Sequence, residues 1–547
     1  MPPRQPISAF DTHEVINQPP LLPSHNLFTS DSVLVAALKR EGAGWAAGRL
    51  QAFGEAMGSE HTAVLADAAN RYPPELKIFD RFGQRIDEVV YHPAYHQLMQ
   101  LAKSHEVHSI AWTAPQTGGH VAHMALEYLL VQVDAGVCCP ITMTYAAYAV
   151  LHKHPAAAAW LLKVTAPSYD SHFIPALEKS SVTIGMAMTE KQGGSDVRSN
   201  TTRAEAEGGD GWFKLTGHKW FCSAPMSDAF LTLAQTSAGL SCFLVPRWRP
   251  DGTRNPFYIQ RLKDKLGDRS NASAEIEYRD TSGQLIGEEG HGVRTIIAMV
   301  HHTRLDTAVA AAGMMRAAVV QAVHHAGHRS AFKKRLVDQP LMRNVLADLV
   351  VEWVAATVLV ARVARSFDEA AGGHFARIGV AIAKYWTNKR LPVHICEALE
   401  CHGGSGYVEE SVMPRLYRQA PVNGIWEGSG NVVCLDILRS IEREPATLEI
   451  LLFELSETKG GNRRLDLAVD RLKDTLRQPA ELQSCARSLV GSMAVALQAS
   501  LLLRHCPTAV AEAYCASRLA EDWTGTFGTL PAGKDFAAII ALAQLAE

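Results

Sequence analysis

Apolar positions change period along this chain. Up to about residue 180 a Pro-rich arm gives way to apolar residues at helical spacing, as in Val121–Val133. Between 181 and 290 alternation takes over. Ala274, Ile276 and Tyr278 alternate with Glu275, Glu277 and Arg279, and Leu231 and Leu233 flank Thr232. Residues two apart on an extended chain share a face, so these runs predict half-buried strands. Asp251-Gly252 and Ser282-Gly283 punctuate them as turns. From 291 the helical period returns: Val345, Leu349, Trp353, Ala356, Val360, Val363 and Phe367 mark one face of a long helix. Beyond Glu442-Arg443-Glu444-Pro445 the pattern stays helical. The expected fold is an α+β multidomain chain. It comprises an N-terminal arm and helical domain (1–180), a central antiparallel β-domain (181–290), a helical bundle domain (291–440) and an extra C-terminal helical domain (441–547).

A length of 547 residues is too great for one hydrophobic core, which agrees with several domains. The chain is 47% hydrophobic and 20% charged with a net charge of −3, which excludes a strongly basic nucleic-acid binder but not a local basic face. Its ten cysteines are scattered with no CxxC pair, as expected of reduced thiols in a cytoplasmic protein. The first residues carry no apolar signal-peptide core, and no transmembrane helix or membrane contact is expected.

Three stretches carry candidate chemistry. The first, Met186-Ala187-Met188-Thr189-Glu190-Lys191-Gln192-Gly193-Gly194-Ser195-Asp196, lies where helical texture gives way to strands. Its glycines let a ligand approach the backbone, and Thr189 and Ser195 offer hydroxyls. In the second, Gly217-His218-Lys219-Trp220-Phe221-Cys222-Ser223, Phe221 and Ser223 share a strand face, an aromatic ring beside a hydroxyl suited to a planar heterocycle. In the third, Ile425-Trp426-Glu427-Gly428-Ser429-Gly430-Asn431, a carboxylate beside an aromatic ring is placed for desolvation, which raises its pKa and suits a base. Each stretch alone also fits an ordinary loop or turn.

Together, in order and spacing, the three resemble the signatures of the acyl-CoA dehydrogenase family: Thr-Glu-x-x-x-Gly-Ser-Asp, Gly-x-Lys-x-aromatic-x-Ser/Thr and aromatic-Glu-Gly-Ser/Thr. The helical, β, helical order matches as well. Arg40-Glu41-Gly42-Ala43-Gly44-Trp45, Pro140-Ile141-Thr142-Met143-Thr144 and the C-terminal extension resemble the AidB-like branch of that family. The resemblance implies bound FAD, a homotetramer, double-stranded DNA binding in the response to alkylation damage, and weak dehydrogenase activity on an acyl-CoA or an unknown substrate, with an electron-transfer partner. The alternative is an ordinary acyl-CoA dehydrogenase that desaturates acyl thioesters and has no DNA role.

Residue by residue, the resemblance places Met186, Met188, Thr189, Gly194 and Ser195 along the flavin, with Phe221 packing on its rings and Ser223 near its N5. It puts Trp426, Ser429 and Asn431 beside the rest of the cofactor. Arg329 and Phe332, in an Arg-x-x-Phe element, reach the FAD of a neighbouring subunit, and Gly403 and Gly404, in Gly-Gly-x-Gly-Tyr, lie near the adenosine of the cofactor. Glu427 aligns with the usual base. Thr303 stands where a subset of the family carries an alternative one, and Arg304 aligns with a residue near the thioester. Lys191, Lys333 and Glu400 depart from the family's usual Pro, Gly and Gln.

For DNA, residues 441–547 hold 11 basic against 14 acidic residues, which does not favour binding. Residues 459–487 hold seven against four, and Arg463, Arg464, Arg471, Lys473 and Arg477, joined by Arg439 and Arg518, are the candidate contacts. His324 and His328 have i, i+4 spacing but no third ligand, so no metal is expected. No Walker loop or GxGxxG in a strand–helix setting appears.

Overall fold

The computed structural model describes residues 6–114, 116–369, 373–478 and 481–545. After an exposed N-terminal arm, helices build the first region, with Gly119–Val131 and Ala135–Leu151 buried along most of their length. A hairpin of β1 (Glu75–Phe79) and β2 (Arg85–Val90) interrupts them. The helical pattern of 1–180 did not announce it, because both strands are short and half-exposed, so no clean apolar alternation marks them.

The β-domain holds β3 (Ile184–Ala187), β4 (Arg203–Ala206), β5 (Trp212–Ser223), β6 (Ala229–Thr236), β7 (Gly239–Pro246), β8 (Phe257–Leu262) and β9 (Ser273–Ile286). Pairing runs β6–β7–β9–β5–β4 and returns from β4 to β6 at Arg203 and Gln235, so the sheet closes on itself. β3 joins β6, and β8 joins β9. The sheet is antiparallel except for the parallel pairings of β6 with β3 and β4. β6 was expected half-buried, but Ala229–Ala234 are buried on both faces, Thr232 included. The Thr232 hydroxyl donates to the Ala187 carbonyl at 2.5 Å, so a polar residue inside the domain is satisfied and the alternation conceals a central strand.

Helix Gly292–His328 leaves the sheet and packs with Pro340–Asp368 and Gly373–Glu400 as the bundle. The stepped apolar face centred on Trp353 is its core, and Trp353 is fully buried. The C-terminal helices Leu482–His505 and Thr508–Arg518 pack onto the bundle, and Arg463–Leu476 packs onto these two. Pro340–Asp368 and Leu482–His505 are long and apolar enough to cross a membrane, but 89% and 78% of their apolar windows are buried inside the protein, as in core helices. The short hairpin of β10 (Ser330–Ala331) and β11 (Lys334–Arg335) follows the longest helix.

Candidate functional site

The first two stretches are tied together by a buried carboxylate. Glu190 is fully buried and pairs with the equally buried Lys219 of β5, Oε1 to Nζ, at 2.8 Å. Thr201 and Thr202 donate backbone and hydroxyl hydrogens to the same carboxylate, and Gln192 donates its amide. Burial opposes its ionisation, but Lys219 and these donors outweigh that and hold it at about 2. The Trp220 N–H donates to the Thr189 carbonyl at 2.8 Å, so the Thr189 loop lies along the end of β5. A Cβ at Gly194 would collide with the Thr189 hydroxyl, which makes glycine necessary there. Met186 and Met188 are half-buried against the same apolar cluster as Trp426, while Ser195 is exposed.

The β5 register shifts between Lys219 and Cys222, a bulge that re-aims the residues within it. Cys222 is fully buried, whereas Phe221 is 51% exposed and Ser223 half-buried on the opposite face. Ser223 Oγ lies 3.3 Å from Ser273 Oγ, and the Cys139 thiol is close enough to bond Ser223. Helix Ala135–Leu151 thus packs against the sheet beside Ser223 and against helix Gly292–His328, which carries Thr303 and Arg304.

Glu427 occupies a left-handed backbone conformation, φ 58°, followed by Gly428 at φ 102°. A non-glycine residue there is strained and persists only where its surroundings hold it. Arg304 Nε donates to the Glu427 carbonyl at 3.0 Å, and Lys384 Nζ donates to the Gly428 carbonyl. Arg304 and Arg377 both bind Asp436 at 2.8 Å, which fixes the Arg304 guanidinium; Asp436 is held at about 2 by these arginines against the cost of its burial. The Thr303 hydroxyl donates to Glu427 Oε2 at 2.5 Å. Burial raises the Glu427 carboxyl above the usual carboxylate range, opposed by Thr303, Arg304 and Lys384. Lys384 is lowered by burial to about 7, with Glu427 opposing. Lys384 and Asp436 are additions to the sequence reading, and Thr303, noted there only for the base it replaces, gains a role as donor to Glu427. Lys384 and Asp436 lie at unremarkable helix positions that only packing brings together.

Ser429 is the N-cap of helix Gly430–Arg443, and its hydroxyl makes no capping bond. Asn431 is exposed on the first turn. Free N–H groups and the helix dipole at such an end suit a phosphate. The buried Trp426 Nε1 has no hydrogen-bond partner among the described residues. An unused N-cap, an orphaned indole N–H, an exposed Phe221 and a glycine-lined threonine loop fit a flavin dinucleotide lying between β-domain and bundle. A cavity of about 1720 Å³ lies elsewhere, lined by Gln18–His25, the segment after β8 and Arg415, and reaches neither Glu427 nor Thr189. The Glu427–Phe221 region is the candidate site because the chemistry converges there.

Four predicted cofactor residues lie apart from it. Arg329 follows Arg304 by 25 residues at the end of one helix, about 37 Å along its axis. Gly403 and Gly404 share that end, where the rings of His325 and His402 meet at a tilt with centroids 4.7 Å apart. Phe332 is 94% exposed.

The DNA candidates divide. Arg518 is a correction: it is buried, ion-paired to Asp348 and, at 2.9 Å, to Glu352, which Arg390 also binds. An arginine beside two core carboxylates folds inward, and its sequence neighbours do not show those partners. Arg471, Lys473 and Arg477 pair with Glu521, Asp470 and Asp474 at the surface. Arg439, Arg463 and Arg464 are exposed. No cluster of metal ligands is found among the described residues.

Three family models match the chain: the adaptive response protein AidB N-terminal domain at residues 17–171, the acyl-CoA dehydrogenase middle domain at 185–281 and the acyl-CoA dehydrogenase C-terminal domain at 290–442. AidB of Escherichia coli (strain K12) is 45% identical over 512 residues, 92% of this chain and 94% of that protein. The crystal structure of Caenorhabditis elegans ACDH-11 in complex with C11-CoA is 26% identical, with a TM-score of 0.83 over 96% of this chain and 97% of that one. Bd2924 in its apo form is 29% identical, with a TM-score of 0.82 over 90% of this chain and 100% of that one.

Proposed function

This chain belongs to the acyl-CoA dehydrogenase family, in its AidB-like branch, and from that premise we propose that it oxidises a fatty acyl-CoA thioester with Glu427 as base. It is an FAD-dependent oxidoreductase by family. When bound, FAD supplies the acceptor for the hydride that leaves the β-carbon. Glu427 takes the α-proton onto its carboxylate, and the electron pair left behind forms the α,β double bond. The observation that carries this reading is the Glu427 carboxyl itself. It is desolvated enough to be a stronger base than a free carboxylate, and it is held by Thr303, Arg304 and Lys384 rather than neutralised by a direct salt bridge. Thr303 orients the carboxylate, and Arg304 keeps the strained turn in place. The worm relative's complex with C11-CoA supports a CoA thioester as substrate class.

Thr189, Gly194, Ser195, Phe221 and Ser223 would hold the flavin rings, and Trp426, Ser429 and Asn431 the chain beyond them. The distance of Arg329, Phe332, Gly403 and Gly404 from Glu427 supports their acting on the cofactor of a second copy, within the homotetramer the family resemblance implies. Binding of duplex DNA during alkylation damage is the second arm of the proposal, supported by AidB likeness and by exposed Arg439, Arg463 and Arg464.

The deciding experiment is anaerobic addition of an acyl-CoA series to the FAD-loaded protein. Bleaching of the flavin band by one thioester, lost in Glu427→Gln with FAD still bound, is the expected result; bleaching that survives Glu427→Gln removes Glu427 as base. A gel shift across a salt series tests the DNA arm, and absence of retardation at low salt ends it.

A further inference from the structure

The N-terminal arm returns to the far end of the longest helix. Asn17 Nδ2 donates to the Ser330 carbonyl and Asn17 Oδ1 accepts from the Ser330 N–H, each at 2.8 Å. Arg329 Nη1 donates to the Asn17 carbonyl at 2.5 Å, and His324 Nε2 lies 2.9 Å from the Pro20 carbonyl. Asn17 itself is left-handed, φ 58°; its side chain bonds Ser330 and its carbonyl accepts from the adjacent Arg329.

What the arm grips is a strained element. β10 and β11 are two residues each, too short to be stable alone. Their turn is Phe332-Lys333, with φ 50° and 64°. Two-residue hairpin turns with both central residues left-handed favour Asn-Gly, because a Cβ crowds the neighbouring carbonyl. Phe and Lys carry that Cβ, so the hairpin needs bracing from outside. Gln339 reaches the Ala331 carbonyl at 3.0 Å from the following helix; Asn17 clasps the opening strand, and its carbonyl takes the Arg329 guanidinium. The product is an aromatic ring, 94% exposed, held at the tip of a hairpin.

We infer that the arm is a brace that presents Arg329 and Phe332 to a second copy of this chain, with Asn17 the positioning residue. The inference rests on the reading above that these two residues reach the second copy's FAD. Without the brace the turn relaxes and the second copy loses part of its cofactor site, although Asn17 touches no cofactor.

The test uses the full chain and three variants, with the FAD dissociation constant from flavin fluorescence and assembly mass from sedimentation velocity. Asn17→Ala removes both side-chain hydrogen bonds and weakens FAD binding about five- to tenfold. Lys333→Gly added to Asn17→Ala restores binding, because glycine accepts the left-handed turn without the brace. A merely structural role for Asn17 would not be rescued there. Asn17→Ala that binds FAD like the wild type, or that Lys333→Gly fails to rescue, overturns the brace. Arg329→Ala separates the two levels. Unchanged FAD binding in Arg329→Ala removes the underlying reading and the brace with it. Weakened binding there, with Asn17→Ala unaffected, overturns the brace alone.

Discussion

Replacing Glu190 with Ala should unseat both strand-domain motifs at once. Glu190 and Lys219 are each fully buried, and among the described residues Lys219 Nζ has only Glu190 and the Leu233 carbonyl as partners, both at 2.8 Å. The substitution leaves an ammonium inside the sheet with one neutral acceptor and frees Thr201 and Thr202 from their shared acceptor. Removing one member of a buried pair costs about 3–5 kcal/mol, because the surviving charge stays desolvated. In a domain of about 110 residues that lowers the transition unfolding the β-domain by roughly 13–22 °C. Scanning calorimetry of the protein with and without FAD measures it. The Thr189 loop loses its anchor too, so FAD retention should fall in the same variant. Glu190→Met with Lys219→Met is the control. An apolar pair of similar volume leaves no orphaned charge and should recover most of the melting temperature. A Glu190→Ala protein melting within about 2 °C of the wild type would refute the reasoning, and so would a double variant no better than the single.

Gly194→Ala should lower FAD affinity while leaving melting of the apoprotein nearly unchanged, since the added methyl displaces the Thr189 side chain at an exposed loop; equilibrium dialysis with FAD checks this. Stability should drop as pH falls from about 4.5 to about 2. Glu190, Glu352 and Asp436 are each held at about 2: burial opposes their ionisation, and Lys219, Arg390 with Arg518, and Arg304 with Arg377 outweigh it. A folded pKa below the unfolded value stabilises above the unfolded pKa, and the gain is lost as each carboxylate protonates in the fold. A flat melting temperature between pH 5 and 2.5 would contradict the lowered carboxyl values. Arg518→Met should destabilise by about 3–5 kcal/mol by leaving Asp348 and Glu352 short of their cation; chemical denaturation reads it. Any DNA retardation should then change only as far as folding does.

The pattern of apolar positions was enough for the division into helical, strand and helical regions, because a core face repeats at 3.6 or 2 residues wherever one side of an element is buried. It was legible in Val345 to Phe367, where each residue stands on the inner face of one helix. It failed at β1 and β2, which are short and half-exposed, and it misjudged β6, where Thr232 is buried because Ala187 accepts its hydroxyl. The three motifs were legible because their residue types are local: glycine beside threonine, aromatic ring beside serine, glutamate beside tryptophan. Their meeting was not. Glu190 finds Lys219 across 29 positions, Thr303 finds Glu427 across 124 and Asn17 finds Ser330 across 313. Local residue choice determined which groups this protein carries. Tertiary packing decided which are dry, which are charged and which face each other, because desolvation and ion pairing depend on neighbours in space that no spacing along the chain encodes.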